Sequence, residues 1–216
     1  MHIYIIGRHL EPAVSIADPL LEQGRQWVQK GHQVTVLTGS SGCGMDLGRK
    51  KIGLLQIDGM TVIVFNMPLV DKVGSLRLRF AYLRFSAMLE KQGQMLPKPG
   101  LIIAVMPPPE IARAVLKLKD KYDVPLILEF REALPDFNSA ESNILVKLIN
   151  RFVRRSEEKA LEEAEQIVAA SDDIAFSLKG RLSDQGKARV NVIGKDLDER
   201  QLFEAYERVF RATKNK

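Results

Sequence analysis

Apolar residues along this chain fall into two patterns. Short runs rich in Val, Ile and Leu occupy 2–7, 33–38, 100–106, 125–130, 166–170 and 189–193, and read as strands covered on both faces. Between them, segments near 18–30, 74–94, 109–122, 143–164, 172–182 and 198–213 carry apolar residues at helical spacing. Two further strand patterns, 52–57 and 60–66, flank Asp58-Gly59, a two-residue hairpin signal. Gly31 stands between a helix ending at Lys30 and the strand Val34–Thr38, where the left-handed position past a helix end favours glycine. A strand–helix–strand rhythm of this kind makes parallel βαβ units. It predicts an α/β fold with a single doubly wound, Rossmann-like, mostly parallel sheet, an inserted β-hairpin and a C-terminal helix. Functional groups should then lie beyond the C-terminal ends of the strands. No internal repeat or low-complexity linker interrupts the pattern.

Composition narrows the function classes. A length of 216 residues with 45% hydrophobic residues suits one large domain or two small ones. No apolar run approaches the roughly 18–20 residues that a bilayer span needs. Met1 leads straight into a strand with no charged start or cleavage site, so no signal peptide is expected. The one cysteine, Cys43, excludes an intramolecular disulfide and fits a reducing compartment. Three scattered histidines and one cysteine make no metal-ligand spacing, so neither a metal nor a cofactor is expected. A net charge of +5 favours anionic partners: a membrane surface, phosphates or nucleic acid.

The loops after the strands carry the candidate chemistry. Arg8 and His9 follow the first strand. Asp18-Pro19 reads as an N-cap and first helical residue. An N-cap carboxylate there occupies the positive helix end and argues against phosphate docking. Gly39-Ser40-Ser41-Gly42-Cys43-Gly44 lacks the Gly-Lys-Ser/Thr of a P-loop and reads as a flexible loop. In Met106-Pro107-Pro108-Pro109-Glu110 the prolines stop a strand, and Pro109 can open the next helix. Glu129-Phe130-Arg131-Glu132-Ala133-Leu134-Pro135 places Arg131 and Glu132 at the sheet's C-terminal edge, the usual ligand side. A plain Arg–Glu ion pair is the alternative.

Two helical segments are basic and apolar at once. From Lys72 to Lys98, both included, there are six basic residues and one acid, Glu90. Leu76, Phe80, Leu83 and Ala87 share one face, and Leu78, Tyr82, Phe85 and Leu89 the opposite one. Arg77, Arg84 and Lys91 form a stripe to which Arg79 adds a fourth charge. In the second segment Lys147, Arg151, Arg154 and Arg155 interleave with Ile144, Leu145, Leu148, Ile149 and Phe152. Helices of this kind lie in a bilayer interface, and a core helix with a solvated basic edge is the alternative. Nucleic-acid binding is disfavoured, because the basic patches interleave with aliphatic rather than aromatic residues.

The spelling of these segments resembles a known family. Gly31-His32-Gln33-Val34-Thr35-Val36-Leu37-Thr38 looks like the "GH-x-V-x-V-x-T" segment of family-4 glycosyltransferases of the GT-B fold. The proline triplet at 107–109, Arg131-Glu132 through Pro135, Ala164–Ser171 and Val190–Ile193 are similar to that family's later motifs, in order. The resemblance covers residues 1–197 as an acceptor-side N-terminal domain, with 198–216 as a C-terminal helix. Its nearest subgroup builds bacterial surface polysaccharides on lipid-linked carriers. It implies that Arg8, His9, Pro107, Pro108, Arg131 and Glu132 border an acceptor cleft. The pattern of the two basic helices, for its part, leads to the expectation that Arg77, Arg79, Arg84, Lys147, Arg151, Arg154 and Arg155 face a membrane.

There are departures from the family. Ile16-Ala17-Asp18 replaces a Gly-Gly-Arg, Glu132 an Asp, Leu134 a Trp, and Gly194–Asp198 the "P-N-G-V-D" segment. Nothing in the sequence corresponds to the family's nucleotide-sugar domain. The expectation is therefore an acceptor-binding half, inactive alone, peripheral on the cytoplasmic side of the inner membrane leaflet. Its expected partners are a lipid-linked or glycan acceptor, an anionic membrane surface and a separate donor-domain chain. The alternatives are a non-catalytic membrane-associated scaffold derived from such an enzyme, and a nucleotide-binding regulator, for which no phosphate motif speaks.

Overall fold

The computed structural model describes residues 1–9, 19–40, 47–68, 76–106, 108–132, 144–193, 204, 206–209 and 211. In chain order the elements are β1 (His2–His9), α1 (Pro19–Gln29), β2 (Gln33–Gly39), β3 (Ile52–Ile57), β4 (Met60–Phe65) and α2 (Leu76–Gly93). They continue with β5 (Leu101–Met106), a 3₁₀ turn (Pro109–Ile111), α3 (Ala112–Tyr122), β6 (Leu126–Phe130) and α4 (Ile144–Glu163). The last are β7 (Gln166–Ala169), α5 (Asp172–Lys179), α6 (Asp184–Lys187) and β8 (Val190–Val192).

The eight strands form one sheet in the order β3-β4-β2-β1-β5-β6-β7-β8. Every neighbouring pair is parallel except β3 and β4, which run antiparallel as the hairpin. Asp58 and Gly59 both have positive φ, 49° and 80°, as a type I′ turn requires. At the end of α1, Gly31 has φ 80°. Its N–H donates to the Val28 carbonyl and the His32 N–H to that of Trp27, which closes the helix with a Schellman motif.

Alternate residues of β1 show why the sheet is covered twice. Tyr4 and Ile6 join a cluster built with α2, α3, α4 and α5. Ile3 and Ile5 join a second cluster on the other face, with Leu20, Leu21 and Trp27 of α1. Tyr206, from the C-terminal helical residues, is buried in that second cluster, its ring stacked 6.1 Å from Trp27. The expected N-cap Asp18, residues 41–44 of the expected Gly39–Gly44 loop and the boundary at 197/198 lie outside the described residues. One short helix was not expected: α6, whose Gly186 weakens the sequence signal, is held by Ser183 accepting from the Gly186 N–H.

Candidate functional site

From β1 the chain steps outward through β2, then returns to the other side of β1 for β5 and β6. The crevice outside the C-terminal ends of β1 and β5 is therefore the switch point of the sheet, where open α/β folds place ligands. Four elements bring polar side chains to it. Arg8 ends β1, and its Nη2 lies 3.7 Å from Oε1 of Glu132, which follows β6. Glu110 follows β5 in the 3₁₀ turn, almost wholly buried, and accepts from Arg79 Nε of α2 at 3.3 Å. Arg79 also donates to Asn150 of α4. The Tyr82 hydroxyl, one turn along α2, sits within electrostatic reach of the same groups. Burial pushes its pKa up, Arg8 opposes that by charge and hydrogen bonding, and Glu110 and Glu132 add to the rise.

The result is a rim of charge, half-buried Arg8 and exposed Glu132, over a floor of buried Glu110 and Tyr82 and the mostly buried Arg79. Carboxylates accept and guanidinium groups donate hydrogen bonds, so opposite signs in one crevice suit a hydroxyl-rich ligand better than a strongly charged one. Burial pushes the Glu110 carboxyl above the usual range, more than Arg79 pulls it down.

The placement of the expected residues is uneven. Arg8 and Glu132 come together at the crevice. Arg131 shares their edge but turns its Nε to Glu129 Oε1, at 2.5 Å. His9 pairs along the backbone with Gly39 at the β1–β2 edge. Pro108 is buried and extended just ahead of the 3₁₀ turn. Pro107 lies outside the described residues. Sequence reasoning missed Tyr82, Glu110 and Glu129. Tyr82 was read only as part of an apolar helix face, and Glu110 stood unmarked behind three prolines. Glu129 did leave a signal: a lone acid inside the apolar run Leu126–Phe130 has to be paired. It is 1% exposed. Besides Arg131 it accepts from the Tyr206 hydroxyl at 2.5 Å and from Gln23 Nε2 at 2.9 Å.

The basic helices resolve differently from the expectation on one point. Arg79 is 15% exposed at its side chain and committed to Glu110, so it is withdrawn from the outer surface. Arg77, Arg84, Lys147, Arg151, Arg154 and Arg155 are exposed, Arg154 with Glu158 as its ion-pair partner. Of the two apolar faces of α2, the core takes Tyr82, Phe85 and Leu89, while Phe80 is left half exposed. On α4, Ile144, Leu148 and Phe152 recur every four residues along one exposed stripe. Leu83 and Ala87 of α2 line one groove with Arg113 of α3 and Phe152 and Val153 of α4, and both α2 and α4 pack on α3, which stands between them. No described helix is long and apolar enough to cross a membrane.

A third buried acid stands on α4 itself. Glu157 is fully buried and accepts from Arg181 Nη2 at 2.5 Å. Burial raises its pKa, more than Arg181 lowers it. A raised carboxyl contributes stability that is complete below the ordinary glutamate value of about 4.3 and is lost as pH rises through the raised value. Glu157→Gln should therefore gain stability relative to wild type between about pH 4 and pH 7. Urea midpoints at both pH values measure it, and a relative loss over that window would mean that Arg181 outweighs burial.

No curated protein matches the chain in sequence. Among solved structures, it is similar to a UDP-forming α,α-trehalose-phosphate synthase from Burkholderia vietnamiensis, with TM-score 0.55 and 10% identity over 86% of this chain and 43% of that one. A trehalose-6-phosphate structure from E. coli bound with UDP-2-fluoro glucose gives 0.56 and 12% over 89% and 48%. The calicheamicin glycosyltransferase CalG4 gives 0.52 and 12% over 89% and 52%. The chain thus spans about half the length of these structures, and at such identities the likeness establishes the fold, a GT-B type α/β domain. The sequence profile of the glycosyl transferase 4-like domain matches residues 16–194, from just ahead of α1 to just past β8. With a match of that extent laid over this sheet, the chain belongs to the glycosyl transferase 4-like domain family.

Proposed function

We propose that this chain is the acceptor-binding half of a GT-B glycosyltransferase in surface polysaccharide assembly. In this reading it is peripheral on the cytoplasmic side of a membrane, and a separate chain supplies the nucleotide-sugar half. The observation that carries the proposal is the convergence of Arg8, Tyr82, Glu110 and Glu132 at the switch point. Mixed donors and acceptors over a buried floor fit the hydroxyls of a glycan. The exposed apolar and basic residues of α2 and α4 support membrane contact and a lipid-linked acceptor.

The test is saturation-transfer NMR on the whole chain with maltotriose, cellotriose and chitotriose, and separately with UDP-glucose. At least one glycan should receive saturation, and Arg8→Ala combined with Glu132→Gln should remove it. UDP-glucose should bind more weakly, and the pure protein should neither transfer nor hydrolyse it above the buffer rate. Turnover by the chain alone, or glycan signals indifferent to both substitutions, would refute the reading.

The exposed surface of α2 and α4 favours a second reading, a non-catalytic membrane-associated scaffold. Vesicle binding without any glycan binding would favour that one.

A further inference from the structure

The buried carboxylate of Glu129 joins three parts of the fold that lie far apart in sequence. Its Oε1 accepts from Arg131 Nε at the cleft edge. Its Oε2 accepts from Gln23 Nε2 of α1 and from the hydroxyl of Tyr206 in the C-terminal helical residues. Gln23 Nε2 also lies 3.0 Å from the Tyr206 oxygen, so the three groups close a ring of hydrogen bonds. Glu129 and Tyr206 are each 1% exposed. Burial, and then the neighbouring Glu129 charge, push the Tyr206 hydroxyl well above its ordinary pKa. The phenol therefore stays protonated and keeps donating. The polarity is fixed: Tyr206 and Arg131 both donate to one acceptor that no solvent reaches.

We infer that Glu129 and Tyr206 are positioning residues for Arg131, so that the docked C-terminal helical residues set the guanidinium at the rim of the crevice through one buried carboxylate. Its bearing on acceptor binding rests on the function proposed above. A carboxylate held on both oxygens cannot rotate, and the guanidinium it receives is held with it. A ligand that uses Arg131 in this orientation favours docking of Tyr206, and docking favours that ligand by the same factor.

Two substitutions in the whole chain test this. Glu129→Gln keeps the shape and removes the charge. Tyr206→Phe removes one hydroxyl and keeps the ring on Trp27. The primary readout is solvent exchange of the Arg131 Nε–H in ¹⁵N spectra, with the resonance assigned by Arg131→Lys. Hydrogen exchange at 206–209 reports whether the helix stays docked. Glu129→Gln should speed Arg131 exchange roughly tenfold or more, the factor lost with a charge-assisted hydrogen bond. Tyr206→Phe should speed it several-fold while 206–209 keep most of their protection. If Glu129→Gln does not fold, Tyr206→Phe decides alone. Arg131 exchange within twofold of wild type in every folded variant overturns the inference. Faster Arg131 exchange with unchanged maltotriose, cellotriose and chitotriose signals upholds the positioning and removes Arg131 from the acceptor site.

Discussion

Replacing Arg79 with alanine should destabilise the protein by about 3–5 kcal/mol at neutral pH, the usual cost of stranding one partner of a buried ion pair. Glu110 lies at the floor of the crevice, 4% exposed at its side chain, and Arg79 is its ion-pair partner on α2. Burial already holds the Glu110 carboxyl above the usual range. Removing the guanidinium should raise it further. The cost should then shrink as pH falls towards about 4, because the carboxyl takes up a proton instead of remaining an uncompensated charge. Arg77→Ala, two residues away and exposed, should stay within about 0.5 kcal/mol at either pH. Urea unfolding of both variants at pH 4 and pH 7 measures all four quantities. Equal small effects from the two arginines would contradict a buried Arg79–Glu110 pair and return Arg79 to the surface.

The same pair of residues shows where the sequence was legible and where it was not. Strand positions were readable because β5 is apolar throughout and β6 is apolar but for Glu129, and the hairpin because Asp58-Gly59 meets the two positive φ angles of its turn. Gly31 marked the end of α1 for the same local reason. The crevice was legible at Arg8, Arg131 and Glu132, since parallel strands deliver whatever follows them to one edge. Which face of α2 meets the core was not legible. Its sequence is apolar on two sides, and periodicity alone leaves the sheet free to take either. Choosing the Tyr82 side turned Arg79 inward towards Glu110 and Asn150, and put Phe80 outside. The Glu129 ring was illegible for another reason. Its partners Gln23 and Tyr206 stand 106 and 77 residues away, and no local pattern announces contacts at such separations.

That choice of face also sharpens the membrane proposal. With Arg79 committed inside, the outer surface of α2 and α4 offers Arg77, Arg84, Lys147 and Arg151 beside Phe80, Ile144, Leu148 and Phe152. Each basic residue near an anionic leaflet contributes about 1 kcal/mol. Changing Arg77, Arg84, Lys147 and Arg151 together to glutamate should therefore weaken binding by at least about 4 kcal/mol, or roughly a thousandfold. Burial of the apolar side chains should add to the attraction, so Leu148→Ser with Phe152→Ser should weaken binding with all charges intact. Flotation on phosphatidylcholine vesicles, with and without phosphatidylglycerol, separates the two contributions. Wild type should float only with the anionic lipid. Recovery should fall as salt shortens the Debye length from about 10 Å at 0.1 M to about 3 Å at 1 M. Arg79 belongs in none of these variants, because its loss would act through the fold. Equal flotation on neutral and anionic vesicles, or none on either, would defeat electrostatic membrane contact and leave this surface to a protein partner.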